Sequence, residues 1–364
     1  MVALDTHTTV TSTTGRLAGT RTMTGGALAC EALLASGVTT LFGYPGGAAL
    51  PFYRELARYP RLRHVLVRHE QNAAHAADGY ARSTGRVGVC VATSGPGATN
   101  LLTGLATAFM DCVPVVALTG QVARAVIGTQ AFQEVDIVGM VGPITKGAFQ
   151  VQSARDIPGV FAEAFRLASQ GRQGPVLIDF PKDVQMALVD VDEVALAAVS
   201  PPHVQPRLSP AAELAIEQAA ALLASAERPV LVAGHGVVVA GAAPELLRFA
   251  EASGAPVGTT LLGLGAFPDQ HPQALGMVGM HGTVQAYLAM HHADLVIGIG
   301  MRFDDRVVGR PKDFAAGARI VHVDIDPQAF NRVVRADVPV LADARAALRE
   351  LASLCVRRDR AAWW

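Results

Sequence analysis

Three short segments combine glycine, amide and carboxylate side chains where predicted strands end. Residues 43–48 read GYPGGA, and their glycines would let a flat ring approach the backbone. Residues 68–74 read RHEQNAA and place a carboxylate, Glu70, where a strand gives way to a helix. Residues 93–100 read TSGPGATN and open a helix whose free N–H groups could meet a ligand. Because open α/β sheets bind ligands at strand ends, we expect the three segments to form one site.

Each segment taken alone is also compatible with an ordinary structural role. Glycine-rich turns occur in many strand-to-helix connections, and the helix dipole favours an acidic residue at any helix N-terminus. The third segment is not the GxGxxG motif of nicotinamide-binding proteins, since Asn100 stands where the third glycine would be. The three segments together are far more specific than any one of them.

Alternating strand-like and helix-like segments position these residues. Short β-branched runs predict strands, and the segments between them predict helices. In the first half we predict strands at 39–43, 63–67, 87–93, 113–119 and 175–179, with helices at 24–37, after Pro45, at 71–84 and at 98–110. In the second half we predict strands at 229–233, 256–259, 295–299 and 319–324, with helices at 211–224 and 344–354. This alternation favours two doubly wound parallel-sheet domains of the α/β class.

Composition and charge narrow the class of protein. The chain has 364 residues, of which 51% are hydrophobic, so it can bury more than one core. Its 30 basic and 31 acidic residues leave a net charge of -1, which argues against nucleic-acid or membrane binding through bulk charge. The sequence has no membrane-spanning apolar run, no secretory signal and no CxxC pair. We expect a cytoplasmic protein with no metal site in this chain.

Proline and small polar residues mark the expected boundaries. Residues 1–22 are crowded with Thr, Gly and Ser and are expected to be a disordered tail. We expect the first domain at 23–190 and the second at 211–350. Residues 191–210 end in a proline-rich stretch typical of a linker, and residues 351–364 end in two tryptophans.

The three segments, in this order and wording, resemble the pyrimidine-binding domain of thiamine-diphosphate enzymes, and most closely the catalytic subunits of the acetolactate synthase (acetohydroxyacid synthase) family. The resemblance continues through 131–134 (AFQE), 143–146 (PITK), 180–184 (FPKDV), 261–268 (LLGLGAFP), 279–282 (GMHG), 302–306 (RFDDR) and 323–327 (VDIDP). It covers nearly all of residues 23–364 and implies a pyrimidine-binding domain followed by a middle domain of FAD-binding type.

The resemblance implies roles for matching residues of the first domain. In this family a glutamate at the position of Glu70 hydrogen-bonds the aminopyrimidine of thiamine diphosphate, which requires a partly buried carboxylate that can share a proton. The residues that match the pyrimidine side are Tyr44, Pro45, Gly46, Gly47, Pro96, Asn100 and Gln133. Phe132 and Lys146 match positions near the substrate channel. Gln130, Gly142 and Gly147 depart from the family pattern in the loops beside that channel.

The resemblance also implies an FAD site in the second domain. Gly234, His235 and Gly236 follow a predicted strand and would let a dinucleotide pass close to the backbone, with Arg172 reaching across from the first domain. The other matching positions are Thr260, Leu261, Leu262, Gly279, Met280, His281, Gly300, Met301, Arg302, Asp304, Asp324, Ile325, Asp343 and Ala344. By itself a Gly-His-Gly turn after a strand is also typical of a purely structural turn.

The implied activity is the condensation of pyruvate with a second 2-keto acid to acetolactate or acetohydroxybutyrate, in isoleucine and valine biosynthesis. Family members hold the diphosphate through Mg2+ in a further domain that carries Gly-Asp-Gly, a sequence that this chain does not contain. We therefore expect Mg2+ to bind only through that missing domain, with residues 351–364 as the stump of the connector. The chain would then be a truncated or split catalytic subunit, inactive alone.

Two alternatives stay open. The chain would otherwise be another thiamine-diphosphate carboligase or decarboxylase, or a non-catalytic FAD-binding or scaffolding protein. Family members place their active sites between chains, so the resemblance implies a homodimer or a larger assembly. A separate diphosphate-binding chain and a regulatory small subunit are the other implied partners, with neither nucleic acid nor a membrane.

Overall fold

The chain divides into two compact units, with the division between residues 202 and 203. A computed structural model describes residues 20–192, 207–360 and 362–363. Each unit has its own six-stranded parallel sheet within these described residues. The predicted α/β class with two parallel-sheet units is therefore confirmed.

The first unit is built on short, mostly apolar strands. In chain order they are β1 (Thr20–Thr24), β2 (Thr40–Gly43), β3 (Arg63–Leu66), β4 (Gly88–Ala92), β5 (Val115–Gln121), β6 (Gly147–Gln150), β7 (Val176–Pro181) and β8 (Leu188–Asp192). The parallel sheet has the order β3-β2-β4-β5-β7-β6, while β1 and β8 form a separate antiparallel ribbon. The order reverses between β2 and β4, so the loops after these strands border the crevice where such sheets bind ligands.

Helices cover both faces of the first sheet. They are α1 (Gly25–Ala35), α2 (Leu50–Leu56), α3 (Glu70–Thr84), α4 (Pro96–Thr99), α5 (Leu102–Met110), α6 (Ile137–Val141), α7 (Ile157–Ser169) and α8 (Lys182–Met186), with 3-10 turns at Arg124–Val126, Gly142–Ile144 and Ala154–Asp156. Val89 and Val91 of β4 pack in the core with α1 and α7, while Cys90 packs in the core with α3 and α5. The predicted helix 98–110 is two helices, broken at Asn100 and Leu101.

The second unit repeats the plan with a different connection order. Its strands are β9 (Pro229–Ala233), β10 (Val257–Thr259), β11 (Ala274–Met277), β12 (Leu295–Ile299), β13 (Arg319–Asp324) and β14 (Val338–Leu341), in the order β11-β10-β9-β12-β13-β14. Its helices are α9 (Pro210–Ser225), α10 (His235–Val239), α11 (Ala243–Ser253), α12 (Val284–His292), α13 (Asp305–Val308) and α14 (Ala344–Leu354), with 3-10 turns at Leu261–Gly263 and Pro327–Ala329. This is the doubly wound order of dinucleotide-binding sheets, with its switch point between β9 and β12.

The structure corrects several expected boundaries. Residues 20–22 do not belong to a tail, because β1 pairs with β8 from Thr20 opposite Asp192 to Thr24 opposite Leu188. Residues 191–192 lie in β8, so the linker is shorter than 191–210 at that end. It is also shorter at the other end, since the Ser209 side chain caps a helix that begins at Pro210. Residues 1–19 and 193–206 lie outside the described residues.

The expected connector stump is partly helix and partly a packed segment. Residues 351–354 complete α14. Arg360 is 7% exposed, and its guanidinium donates to the carbonyls of Leu223 at 2.8 Å and Ala226 at 3.0 Å and also to that of Ser253. These carbonyls end α9 and α11, where helices leave acceptors without intrahelical partners. Trp363 Nε1 donates to the Pro229 carbonyl at 3.1 Å, so this segment belongs to the second unit.

None of the helices that the structure describes has the length and apolar character to cross a membrane. Within the same residues, no group of three or more His, Cys, Asp or Glu side chains is placed to hold a metal ion.

Candidate functional site

Glu70 is a buried carboxylate in the first turn of α3. It is 8% exposed, and the preceding residue, His69, caps the helix by accepting the Gln71 N–H at 3.2 Å. Glu70 Oε2 accepts a hydrogen bond from Asn100 Nδ2 at 2.9 Å, while Oε1 has no donor among the described residues. This oxygen can therefore accept a hydrogen bond from a ligand.

The glycine turns after β2 and β4 pack around this carboxylate. A Cβ at Gly97 would lie 3.2 Å from Glu70 Oε1 and 2.7 Å from Thr93 Cγ2. A Cβ at Gly46 would lie 2.5 Å from the same methyl group. Thr93 Oγ1 also accepts the Ala48 N–H at 3.2 Å, so this residue joins both turns. The sequence analysis did not assign this role to Thr93, whose only signal was its place at a strand end.

The remaining predicted residues of the pyrimidine side lie in the same turns or beside them. Gly95 has φ +56°, and a Cβ there would lie 2.7 Å from the Gln133 carbonyl oxygen. Pro96 opens α4, and the space at the Cβ position of Gly47 is open. Tyr44 is 43% exposed and Phe132 is 88% exposed. The structure thus brings Tyr44, Pro45, Gly46, Gly47, Glu70, Pro96, Asn100 and Gln133 to the carboxyl edge of the first sheet.

Lys146 lies at the amino ends of the strands of this sheet, opposite the carboxyl ends where Glu70 lies. It immediately precedes β6, whereas the residues around Glu70 follow the strands that position them. Its Nζ donates to the carbonyl of Gln170 at 2.7 Å and to that of Leu167, at the C-terminus of α7. Burial, reinforced by the charge of Arg166, lowers the pKa of Lys146. The structure does not bring Lys146 to Glu70, and the lysine instead satisfies helix carbonyls.

Arg172 also lies at the amino edge of the first sheet, in the loop before β7. Its Nε donates to Cys112 Sγ at 3.1 Å, and its guanidinium lies 5.9 Å from the centre of the Phe109 ring. Within the first unit, these contacts hold Arg172 before a strand begins, whereas Glu70 follows the end of a strand.

In the second unit, the turns after β9 and β12 approach each other through glycine. A Cβ at Gly234 would lie 2.2 Å from the Gly300 oxygen, and one at Gly236 would lie 2.7 Å from Gly300 Cα. Gly236 N donates to the Gly300 carbonyl at 2.9 Å, and Gly300 has φ +59°. The close approach of the two turns therefore requires these glycines whether or not a ligand binds. They also leave backbone, not side chains, at the switch point of the sheet.

Every position of the second unit that matches an FAD contact lies at the carboxyl end of a strand or just after it. After β9 come Gly234, His235 and Gly236, after β10 come Thr260, Leu261 and Leu262, and after β11 come Gly279, Met280 and His281. After β12 come Gly300, Met301, Arg302 and Asp304. Asp324 ends β13 and Ile325 follows it, while Asp343 and Ala344 follow β14. All neighbouring strands of this sheet are parallel, so these loops lie along one edge.

Several of these positions also have roles within the fold. Asp304 and Asp343 cap α13 and α14 by accepting backbone N–H groups of their first turns. Asp324 accepts the N–H of the residue two positions on, at 2.9 Å. The buried ring of His322, which the sequence analysis missed, has its Nε2 2.8 Å from the Met301 carbonyl oxygen. A match to the family's sequence does not tell whether such a residue stabilises the fold or contacts a ligand.

Comparison with protein families assigns both units. The N-terminal thiamine pyrophosphate binding domain of thiamine pyrophosphate enzymes matches residues 23–140, and the central domain of the same enzymes matches residues 216–351. The chain belongs to the thiamine pyrophosphate enzyme family. The resemblance seen in the sequence is confirmed.

Several similar members of this family are acetolactate synthases. A probable acetolactate synthase large subunit of Methanocaldococcus jannaschii is 51% identical over 345 residues, which are 94% of this chain and 58% of that protein. The acetolactate synthase large subunit of Corynebacterium glutamicum is 50% identical over 93% of this chain and 53% of its own length. The chain therefore spans little more than half the length of these curated relatives.

Another buried carboxylate of the first unit, Asp179, was missed by the sequence analysis. Asp179 on β7 is fully buried, and its Oδ1 accepts from Thr119 Oγ1 at 2.9 Å. Its Oδ2 accepts from the side-chain amides of Gln121 at 3.1 Å and Gln150 at 3.0 Å. Burial raises the pKa of Asp179 to about 6 although these hydrogen bonds lower it, and Asp136 adds a raising charge. Its signal in the sequence was a carboxylate inside an apolar strand.

Asp179→Asn is expected to stabilise the first unit at neutral pH. The pKa of Asp179 is about 6 in the fold against an ordinary 3.8, so its contribution to stability is complete below pH 3.8 and is lost as the pH rises through 6. The difference between these two pKa values corresponds to about 3 kcal/mol in the free energy of unfolding. Urea unfolding at pH 4 and pH 7.5 should show a gain from the variant that is larger at pH 7.5.

Asp183→Asn is the matched control for this prediction. Its ion pair with Arg124 at 2.7 Å helps to lower the pKa of Asp183 despite the opposing effect of burial, so neutralising Asp183 should lose stability at neutral pH. A gain from Asp179→Asn that does not change between the two pH values would contradict the assignment.

Proposed function

We propose that this chain forms the pyrimidine-binding and FAD-binding parts of an acetolactate synthase large subunit. The reaction would condense pyruvate with a second 2-keto acid to acetolactate or acetohydroxybutyrate, in isoleucine and valine biosynthesis. The observation that carries the proposal is the buried Glu70, held by Asn100 on one oxygen and open to a ligand on the other. The relatives that are about half identical over nearly the whole chain support the same reaction.

The residues around Glu70 fit thiamine diphosphate. A Cβ at Gly46 or Gly97 would meet Thr93 or the carboxylate, so these glycines let the turns pack closely around Glu70. The open space at the Cβ position of Gly47 leaves room for a ligand beside them. Tyr44, Pro45, Gly47, Pro96, Asn100 and Gln133 would complete the walls around it. When bound, thiamine diphosphate supplies the electron sink that decarboxylation of a 2-keto acid requires.

The protein's own contribution at this site is to hold and move a proton at Glu70 Oε1. The Asn100 amide fixes the other oxygen, so the carboxylate cannot turn away from a ligand. Burial of Glu70 limits the access of water to this proton. Phe132, exposed at the same edge, is proposed to line the substrate channel. Lys146 lies at the other edge and keeps this proposed role only through its sequence match.

We propose FAD as a second cofactor, bound along the carboxyl edge of the second sheet. The close glycine turns at Gly234, Gly236 and Gly300 support a dinucleotide near the backbone. Mg2+ and the diphosphate would be held by a further domain, supplied by another chain or by the rest of a longer protein. We also propose a cytoplasmic homodimer or larger assembly, with a regulatory small subunit as a further partner.

Reconstitution tests the proposal. The chain is to be co-expressed with the diphosphate-binding domain of the Corynebacterium glutamicum relative and supplied with thiamine diphosphate, Mg2+ and FAD. We expect acetolactate from pyruvate only when both parts are present, and flavin absorbance in the purified chain. Full activity of the chain alone would show that its site is already complete. Retained flavin with no activity after stable association would instead favour a non-catalytic FAD-binding or scaffolding protein.

A further inference from the structure

The loop between β5 and α6 is closed on itself by one carboxylate. Glu134 Oε2 accepts the Ala131 N–H at 3.0 Å, and its Oε1 accepts the Gly128 N–H. The Glu134 N–H in turn donates to the Ala131 carbonyl at 2.9 Å. Only an ionised carboxylate offers acceptors alone on both oxygens, so the charged form of Glu134 suits this closure.

The closed loop contains unfavourable backbone conformations. Gln130 has φ +61° and Gln133 has φ +60°, in the left-handed region that residues with a Cβ avoid. Such a conformation is unfavourable for a residue with a Cβ, and it persists only where its surroundings fix it. The carbonyl oxygen of Gln133 lies 2.7 Å from the position of a Cβ at Gly95, in the turn that borders Glu70. The strain is therefore located beside the candidate site.

The end of the same segment is anchored in the buried cluster at Asp179. Gln121 Nε2 donates to the Val135 carbonyl at 2.9 Å and to Asp179 Oδ2 at 3.1 Å. Gln121 Oε1 accepts the Val122 N–H at 2.9 Å, so the amide cannot flip without losing hydrogen bonds. Asp179 thus holds Gln121, and Gln121 holds Val135, two residues after Gln133.

We propose that Glu134 and Asp179 are positioning residues that hold segment 128–135 in its strained form. Glu134 closes the loop at 128–131, and Asp179 acts through Gln121 at the far end. A loop fixed in this way presents the exposed ring of Phe132 to a 2-keto acid without first having to be ordered, which lowers the entropic cost of binding. The functional meaning of this assignment rests on the proposed function, whereas the positioning itself does not.

Hydrogen exchange of the whole chain, without cofactor, tests the positioning. Glu134→Gln keeps the size of the side chain but replaces one acceptor oxygen with a donor, and Gln121→Met keeps its length but removes both anchoring bonds. Each is expected to speed the exchange of amides 128–135 by about tenfold or more, with the amides of the second unit unchanged. Glu163→Gln is the matched control, since Glu163 pairs with Arg166 on α7 and should leave this segment unchanged.

Two further variants separate positioning from a general structural role. Asp179→Asn retains one carbonyl oxygen for Gln121 and should keep the segment protected, whereas Asp179→Ala should resemble Gln121→Met. Gln133→Gly relieves left-handed strain and should slow exchange again in the Glu134→Gln background. The proposal is overturned if Gly128 and Ala131 exchange equally fast in the wild type and in Glu134→Gln, or if every loosened variant exchanges faster throughout the first unit.

The reconstituted enzyme separates this proposal from the proposed function. There, Glu134→Gln is expected to raise KM for the 2-keto acids by a larger factor than it lowers kcat, because the reacting groups around Glu70 stay in place. A reconstituted wild type without activity would refute the proposed function while the exchange result still decides the positioning.

Discussion

Glu70→Gln is expected to lower acetolactate formation by the reconstituted enzyme by roughly 100- to 10,000-fold, the usual contribution of a general acid–base group. Glutamine has the same size and can still accept the hydrogen bond of Asn100, which the structure places 2.9 Å from Glu70 Oε2. It cannot take up and release a proton at neutral pH. The measurement is kcat for acetolactate at saturating pyruvate and cofactors.

The Glu163→Gln variant is the control for this experiment as well. Glu163 is half-exposed and pairs with Arg166 at 2.6 Å, so its loss should change kcat little. Flavin absorbance and circular dichroism of Glu70→Gln should match the wild type, because Glu70 lies in the first unit and has a near-isosteric replacement. Undiminished activity of Glu70→Gln would remove this residue from the mechanism.

Arg360→Ala is expected to destabilise the second unit by about 3 kcal/mol or more. The substitution removes a buried guanidinium and leaves carbonyls of Leu223, Ala226 and Ser253 without their donor. Trp363 follows closely and its indole donates to the Pro229 carbonyl, so tryptophan fluorescence reports on this region during urea unfolding. The free energy of unfolding is the quantity to be compared with the wild type.

Arg360→Lys and Arg357→Ala are the two comparison variants for this prediction. Lysine keeps the charge but lacks the planar fork, so an intermediate loss is expected, whereas exposed Arg357 should be replaceable without effect. Circular dichroism distinguishes unfolding of the unit from detachment of the terminal segment, which would move fluorescence alone. Equal stability of Arg360→Ala and Arg357→Ala would show that the buried guanidinium does not hold these helices.

Strands inside the two sheets could be predicted nearly residue by residue. The predicted strands 229–233, 295–299 and 319–324 are β9, β12 and β13. A parallel strand covered on both faces must be apolar throughout, so its sequence is a continuous hydrophobic run. The local sequence therefore contains most of the information.

Of the four edge strands of these sheets, only β3 was predicted, at 63–67. The strands missed within the two parallel sheets are β6, β11 and β14, and each lies at an edge of its sheet. An edge strand has one partner and is half exposed, so its sequence need not be apolar, as in the GAFQ of β6. Whether it forms depends on a neighbour distant in the chain.

In the candidate site, too, residues of short motifs could be predicted, whereas contacts between distant strands could not. Glu70, Asn100 and the glycine turns belong to short motifs, and the fold brings them together as their positions after the strands indicated. The cluster at Asp179 depends on β5, β6 and β7 aligning Thr119 and Gln150 with that carboxylate, which is a property of register. Lys146 was assigned by its motif, and only the structure shows that its ammonium serves a helix end.

The ribbon of β1 and β8 brings the two ends of the first unit side by side, with Thr20 paired to Asp192. A unit with adjacent ends can be inserted into another chain, or circularly permuted, without stretching its backbone. The candidate site at Glu70 lies between these two strands in the chain, so the unit could be moved as one block with the residues of that site kept together.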